Sequence, residues 1–160
     1  GDDGIGPGRR YALSALELGR INVAARAVGV AQAAFEAAMA YAQQRETFGR
    51  PIFEHQAIQF KLAEMAVKVE ASHAMMVKAA RLKDKGQRND VEAGMAKYLA
   101  AEYCNEVVEA SFRIHGGYGY SKEYEIERLM REVKFMLIGE GTSDIQKMII
   151  GRQLLKEYKL

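Results

Sequence analysis

Glu140 is the residue best placed for acid–base chemistry, because Gly139 and Gly141 flank it and leave its carboxylate unshielded in a loop that can approach a ligand. A helical pattern opens at Ser143, so the free N–H groups and positive dipole end of that helix face the same loop. Phosphate or developing enolate charge would be favoured there. A glutamate in such a loop could equally be a solvated surface charge, and spacing alone does not separate the two. A second glycine cluster, Gly116-Gly117-Tyr118-Gly119, could bring backbone close to a cofactor or simply cap a helix. It lacks the G-x-G-x-x-G order and no strand precedes it, which excludes the Rossmann reading. Arg45 and Arg152 each offer a planar fork for phosphate, or a plain surface charge.

Other chemistries find less support. His55, His73 and His115 are far apart, with no cysteine or carboxylate at metal-ligand spacing, so no metal site is expected. Cys104 is the single cysteine and reads as a packed free thiol. No serine sits in a G-x-S-x-G elbow, so a hydrolase triad has no foothold.

The elements that must hold these residues are helical. The chain has 160 residues, 49% apolar and 28% charged, enough for one domain with a real core. Only two prolines interrupt an Ala-, Met- and Leu-rich sequence, which excludes a β-sandwich. Twenty-three basic against 21 acidic residues, interspersed to a net +2, give no nucleic-acid signature. Nothing approaches the ~20 uninterrupted apolar residues of a membrane span, so no membrane insertion is expected.

Apolar residues at three- and four-residue spacing predict a long helix from Tyr11 to about Arg45, with Leu16, Ile21, Ala24, Val28, Ala31, Phe35 and Met39 inward. A turn at Phe48-Gly49-Arg50-Pro51 leads to a second helix from about Glu54 to Lys85, ended by Gly86. Asn89-x-x-Glu92 resembles a capping box for a third helix to about Arg113. Ser121 opens a shorter helix to about Phe135, and Ser143-x-x-Gln146 a second capping box for the last, ending near Leu155. The architecture expected is all-α, an up-down bundle of long antiparallel helices over residues 11–160. Residues 1–10, rich in Gly and Asp, read as a linker from an upstream domain.

These motifs together resemble the C-terminal helical domain of the acyl-CoA dehydrogenases. Leu16-Glu17-Leu18-Gly19-Arg20 with Val28-Gly29-Val30-Ala31-Gln32 is similar to the first helix of that domain. Gln44-Arg45-Glu46-Thr47-Phe48-Gly49-Arg50-Pro51-Ile52 with His55-Gln56 resembles its flavin-contacting turn. Ile114-His115-Gly116-Gly117-Tyr118-Gly119-Tyr120 and Glu140-Gly141-Thr142-Ser143-Asp144-Ile145-Gln146 complete the match in order.

The resemblance implies FAD-dependent α,β-dehydrogenation of acyl-CoA thioesters to trans-2-enoyl-CoA, with Glu140 as the catalytic base. It removes the α-proton while the β-hydrogen leaves as hydride to the flavin, and donors including the base residue's own N–H polarise the thioester oxygen. Carried over by position, Arg45, Thr47, Phe48, Gln56, Arg113, Gly116, Gly117, Thr142 and Asp144 are expected to contact an FAD shared across a subunit interface. Glu17, Arg20, Gly141 and Arg152 are expected on the acyl-CoA.

Three positions depart from the family pattern, and a fourth bears on the base. Arg113 replaces a common Gln, Gly139 a common aromatic residue, and Glu17 the usual Asp; Gly19 stands where a few relatives carry the base. The resemblance further implies an electron-transfer flavoprotein as acceptor, a homo-oligomer (dimer or tetramer), and a bacterial cytoplasm or mitochondrial matrix. It also implies missing upstream domains, without which this domain alone would be inactive. An acyl-CoA oxidase-like flavoenzyme domain and a non-catalytic oligomerisation domain remain the alternatives.

Overall fold

The computed structural model describes residues 8–159. Five helices follow in order: α1 (Gly8–Gln44), α2 (Gln56–Asp84), α3 (Asp90–His115), α4 (Glu125–Ile138) and α5 (Ser143–Glu157). The all-α bundle expected from the sequence is the fold found, and short connections turn each long helix back on the one before. Helix α1 starts three residues earlier than expected, at Gly8; most of the expected linker lies outside the described residues.

Alanine builds the centre. Along α1, Ala24, Ala27, Ala31, Ala34, Ala38 and Ala42 are all buried at steps of three or four residues. Facing them on α3 are Ala93, Ala96, Ala100, Ala101, Cys104, Val107 and Val108. Side chains this small let helix axes approach closely. The larger residues expected inward, Val28, Phe35 and Met39, pack at the margin of this seam instead, because the tight α1–α3 contact has no room for them. Length and apolar composition would also let α1 cross a bilayer, but its apolar stripe is spent on α3. Cys104 is buried in the seam, and burial pushes its thiol pKa up to about 12.

The turn after α1 is a small hairpin. Strands β1 (Glu46–Thr47) and β2 (Arg50–Pro51) pair antiparallel, with Thr47 opposite Arg50 across the two-residue loop Phe48-Gly49. Both loop residues have positive φ, 54° at Phe48 and 77° at Gly49, as a primed hairpin turn requires. Phe48 is held at the tip, 97% exposed.

Both expected capping boxes prove to be other devices. Asn89 precedes α3 but makes no side-chain cap; its Nδ2 donates to the Ala79 carbonyl at 3.1 Å and stitches α3 to α2. The cap of α5 is Thr142, whose hydroxyl accepts from the Ile145 N–H at 3.4 Å, one residue before the expected Ser143. Helix α4 begins at Glu125 rather than Ser121, because the stretch Gly116–Tyr120 winds as a 3-10 turn and Tyr124 is still extended.

Candidate functional site

Two groups of expected site residues form, at opposite ends of α1. The first surrounds Glu140, in the connection between α4 and α5. Glu140 has a φ of 57° and Gly141 one of 96°, so two consecutive residues are left-handed, and for Glu140 that conformation is strained. The side chain is thereby turned onto α1. It lies over Gly19: a Cβ built there would fall 2.5 Å from both Cδ and Oε2 of Glu140. Helix α1 has a notch at this position, and the carboxylate fills it. Glu140 has no ion-pair partner, and its N–H finds no acceptor, among the described residues. It is half-buried rather than sealed in the bundle. A base needs that combination of an available carboxylate, a restricted position and a nearby free donor.

Three groups absent from the sequence-based site hold this loop. Gln146, fully buried on α5, donates through Nε2 to the carbonyls of Glu140 (3.0 Å) and Gly141 (3.1 Å). Gly94 on α3 makes room for its amide, since a Cβ there would sit 3.4 Å from Gln146 Oε1. Lys97, also fully buried, donates to the Leu137 carbonyl at 3.1 Å, one of the end carbonyls of α4 that no helical N–H can reach. Burial pushes the Lys97 pKa down, with Glu102 opposing and Arg20 reinforcing the shift. A lysine on the alanine face of α3 was the sequence signal for this last contact. Gln146 carried none, since its spacing fitted a cap.

Glu17 and Arg20 lie on α1 beside Gly19. Glu17 meets Lys83 of α2 at 3.4 Å, and Arg20 is only 8% exposed, its Nε without a partner among the described residues. Gly141 belongs to the Glu140 loop, and Thr142 caps α5. Asp144 points to solvent and pairs with Lys147 at 3.1 Å, while Arg152 is exposed further along α5.

The second group lies at the other end of α1, about 38 Å away at ~1.5 Å per residue from Gly19 to Gln44. A cavity of about 450 Å³ is lined by Tyr41, Arg45, Thr47, Ile52 and the stretch 114–118. Gly116, at φ 59°, ends α3, and a Cβ added at Gly116 or Gly117 meets only open space. Gly116 thus caps α3, and no side chain stands over the backbone at Gly116 or Gly117. Arg45 is exposed, its guanidinium 5.9 Å from the Tyr118 ring centroid. Behind it, Tyr41 stacks on His115 with centroids 4.4 Å apart. The His115 Nδ1–H donates to the Ser111 carbonyl at 2.8 Å, which fixes the ring, and burial pushes its pKa down.

The Thr47 hydroxyl is oriented by His55, a residue of the same turn motif. Arg50 Nη2 lies 3.1 Å from His55 Nδ1, and a guanidinium only donates, so Nδ1 accepts and Nε2 carries the hydrogen. That hydrogen faces Thr47 Oγ1 at 3.1 Å and the Thr47 carbonyl at 3.3 Å. The threonine's own hydroxyl hydrogen is left to donate elsewhere. Phe48 and Gln56 are exposed at the same turn. Arg113 is drawn away from it, bonded to Glu109 one turn back on α3 at 2.8 Å, and does not line the cavity. A guanidinium, a hydroxyl donor and uncluttered backbone suit the phosphates of a dinucleotide such as FAD.

A family profile described as acyl-CoA dehydrogenase, C-terminal domain, matches residues 6–155. The chain is 52% identical over 145 residues to a 3-(aryl)acrylate reductase of Clostridium sporogenes, covering 91% of this chain and 38% of that protein. It is 50% identical over 149 residues to a probable acyl-CoA dehydrogenase of Bacillus subtilis, covering 93% and 39%. Among solved structures it is similar to butyryl-CoA dehydrogenase of Megasphaera elsdenii, with a TM-score of 0.93 at 43% identity over 94% of this chain and 39% of that one. The chain thus spans about two fifths of the length of these relatives. Sequence, fold and the paired glycine-rich loops agree: this chain belongs to the acyl-CoA dehydrogenase family, as its C-terminal helical domain.

Proposed function

We propose that the intact protein carrying this chain dehydrogenates acyl-CoA thioesters between the α and β carbons, with Glu140 as the base. One observation carries the reading: an unpaired carboxylate, held by left-handed backbone, fitted over a glycine notch in α1. Glu140 takes the α-proton, and its own N–H is available to the thioester oxygen as enolate charge develops. FAD, when bound, supplies the acceptor for the β-hydrogen as hydride. Arg45 and the Thr47 hydroxyl would hold its phosphates, with Gly116 and Gly117 admitting it to the backbone.

Because some 38 Å of helix separates the two groups, one subunit cannot offer both to a single FAD. The Arg45 group serves the cofactor of a second copy, and the enzyme works as a homo-oligomer, a dimer or tetramer. Glu17, Arg20, Gly141 and Arg152 would meet the acyl-CoA, and Thr142 and Asp144 the FAD of their own subunit. A relative named as a subunit of a caffeyl-CoA reductase–Etf complex, 44% identical, supports an electron-transfer flavoprotein as partner. Relatives from bacteria and a bovine mitochondrial one support either cytoplasm or mitochondrial matrix.

The reductase names among the relatives favour a second direction for the same site. There protonated Glu140 returns a proton to the α-carbon of an enoyl thioester, by the same path reversed. Glu140→Gln in the intact enzyme tests the base in either direction. Flavin reduction by acyl-CoA is expected to fall by at least ~100-fold with FAD still bound. Unchanged flavin reduction would leave the domain a non-catalytic assembly unit.

A further inference from the structure

We infer that Gln146 is a positioning residue for Glu140, holding the base in its left-handed conformation through the consecutive carbonyls of Glu140 and Gly141. The inference rests on the reading of Glu140 as base.

Two consecutive left-handed residues are not self-sustaining in a loop where one of them carries a side chain. Glu140 at φ 57° forgoes free energy that an extended backbone would recover. Something must over-determine the conformation. The two Nε2 hydrogens of Gln146 do so, one to each carbonyl, at 3.0 and 3.1 Å. The orientation of the amide is fixed by chemistry, since a side-chain oxygen facing two carbonyl oxygens would have nothing to share. Gly141 completes the fit: a Cβ there would fall 2.8 Å from Nε2, so only glycine lets the amide in.

The same arrangement argues against a merely packed residue. Gln146 is fully buried, yet its Oε1 has no donor among the described residues. An unmet acceptor in the interior is a cost that methionine or leucine at this place would not incur. What the amide provides in return is the pair of bonds to the base-bearing loop. With both carbonyls drawn toward α5, the Glu140 N–H and side chain are left directed elsewhere, the side chain onto the Gly19 notch.

The test uses the intact flavoenzyme and stopped-flow flavin reduction by acyl-CoA, with flavin content and unfolding temperature measured alongside. Gln146→Met keeps length and removes both donors. Its reduction rate constant is expected to fall by about 100-fold, the loss that a misplacement near 1 Å produces, with substrate Kd within about three-fold. Gln146→Glu supplies a donor only when protonated, and burial against two carbonyls favours the protonated form. Its rate relative to the parent is therefore expected to climb as pH falls.

A Gln146→Met enzyme within two-fold of the parent, or a Gln146→Glu ratio that falls as pH falls, overturns the inference. Glu140→Gln, run in parallel, separates the two ideas. If it is inactive while Gln146→Met is normal, only the positioning role is lost; if it is active, the base assignment itself is wrong.

Discussion

The Glu140 carboxylate occupies the volume that any side chain at position 19 would claim: Oε2 lies 2.5 Å from where a Gly19 Cβ would be. The α1 helix and the α4–α5 loop are thus fitted to each other through one missing methyl group. Gly19→Ala makes the fit impossible without moving the carboxylate. The obstructed atoms are the far end of a flexible side chain, so the fold is expected to tolerate the change, and alanine contributes ~0.5–1 kcal/mol of helix preference in its favour. Unfolding temperature should hold or rise while flavin reduction falls by at least ~10-fold. A destabilised enzyme of normal rate would show instead that the notch serves packing alone.

Lys97 makes a different kind of prediction. It is fully buried on α3 with no acidic partner within ion-pair distance among the described residues, and burial lowers its pKa below the ordinary 10.5. The unfolded chain then binds the proton more readily than the folded one. Stability is held back at pH values below the folded pKa and recovers as pH rises from there toward 10.5. Lys97→Met is expected to abolish this alkaline rise in unfolding free energy, measured by urea titration between pH 7 and 10. An unaltered pH profile would place the charge in contact with solvent.

Much of this was legible in the residues. Glycines either side of Glu140 marked a loop near a helix start, and three- and four-residue spacing marked the long helices. What spacing could not reveal was which residues of α1 take the centre, because a period locates a face but not the distance to its neighbour; alanines won over Val28, Phe35 and Met39 where α3 came close. Gln146 and Asn89 were read locally, as caps, although each is spent on a tertiary bond. Such competition between a helix's own ends and a distant carbonyl is invisible until the carbonyl is placed.

Asn89 can be tested as the tie it proved to be. It is 1% exposed and donates to the Ala79 carbonyl across the α2–α3 connection. Asn89→Ala loses that bond and leaves a small void, a combined cost of about 1–3 kcal/mol in urea unfolding. Asn89→Asp should cost more at neutral pH, because an ionised carboxylate would face a carbonyl oxygen in the interior. Equal stability of the two variants would show that the side chain only fills space.

His115 titrates in the opposite pH range from Lys97. Burial lowers its pKa below the ordinary 6.5, partly offset by the bond to the Ser111 carbonyl. The folded state resists the proton, so stability present above 6.5 is lost as pH falls through the interval down to the folded pKa. His115→Phe preserves a ring against Tyr41 and removes the titration. It is expected to flatten the acid limb of a stability profile between pH 5 and 7, whatever its effect at neutrality.

The separation of Arg45 from Glu140 by some 38 Å of α1 permits a complementation test. Arg45→Ala alone is expected to weaken FAD binding by about 10- to 100-fold, the worth of a charged hydrogen bond. Glu140→Gln alone keeps FAD but loses turnover. When the two variants are co-expressed and assembled together, one site of a mixed pair draws Glu140 from the first subunit and Arg45 from the second, and is whole. The other lacks both. Activity per mixed dimer should recover to roughly half that of the parent at limiting FAD, from two parents that are each nearly inactive under those conditions. If Arg45 served the cofactor of its own subunit, every site in the mixture would carry one lesion and no recovery would occur, whatever the dimer content.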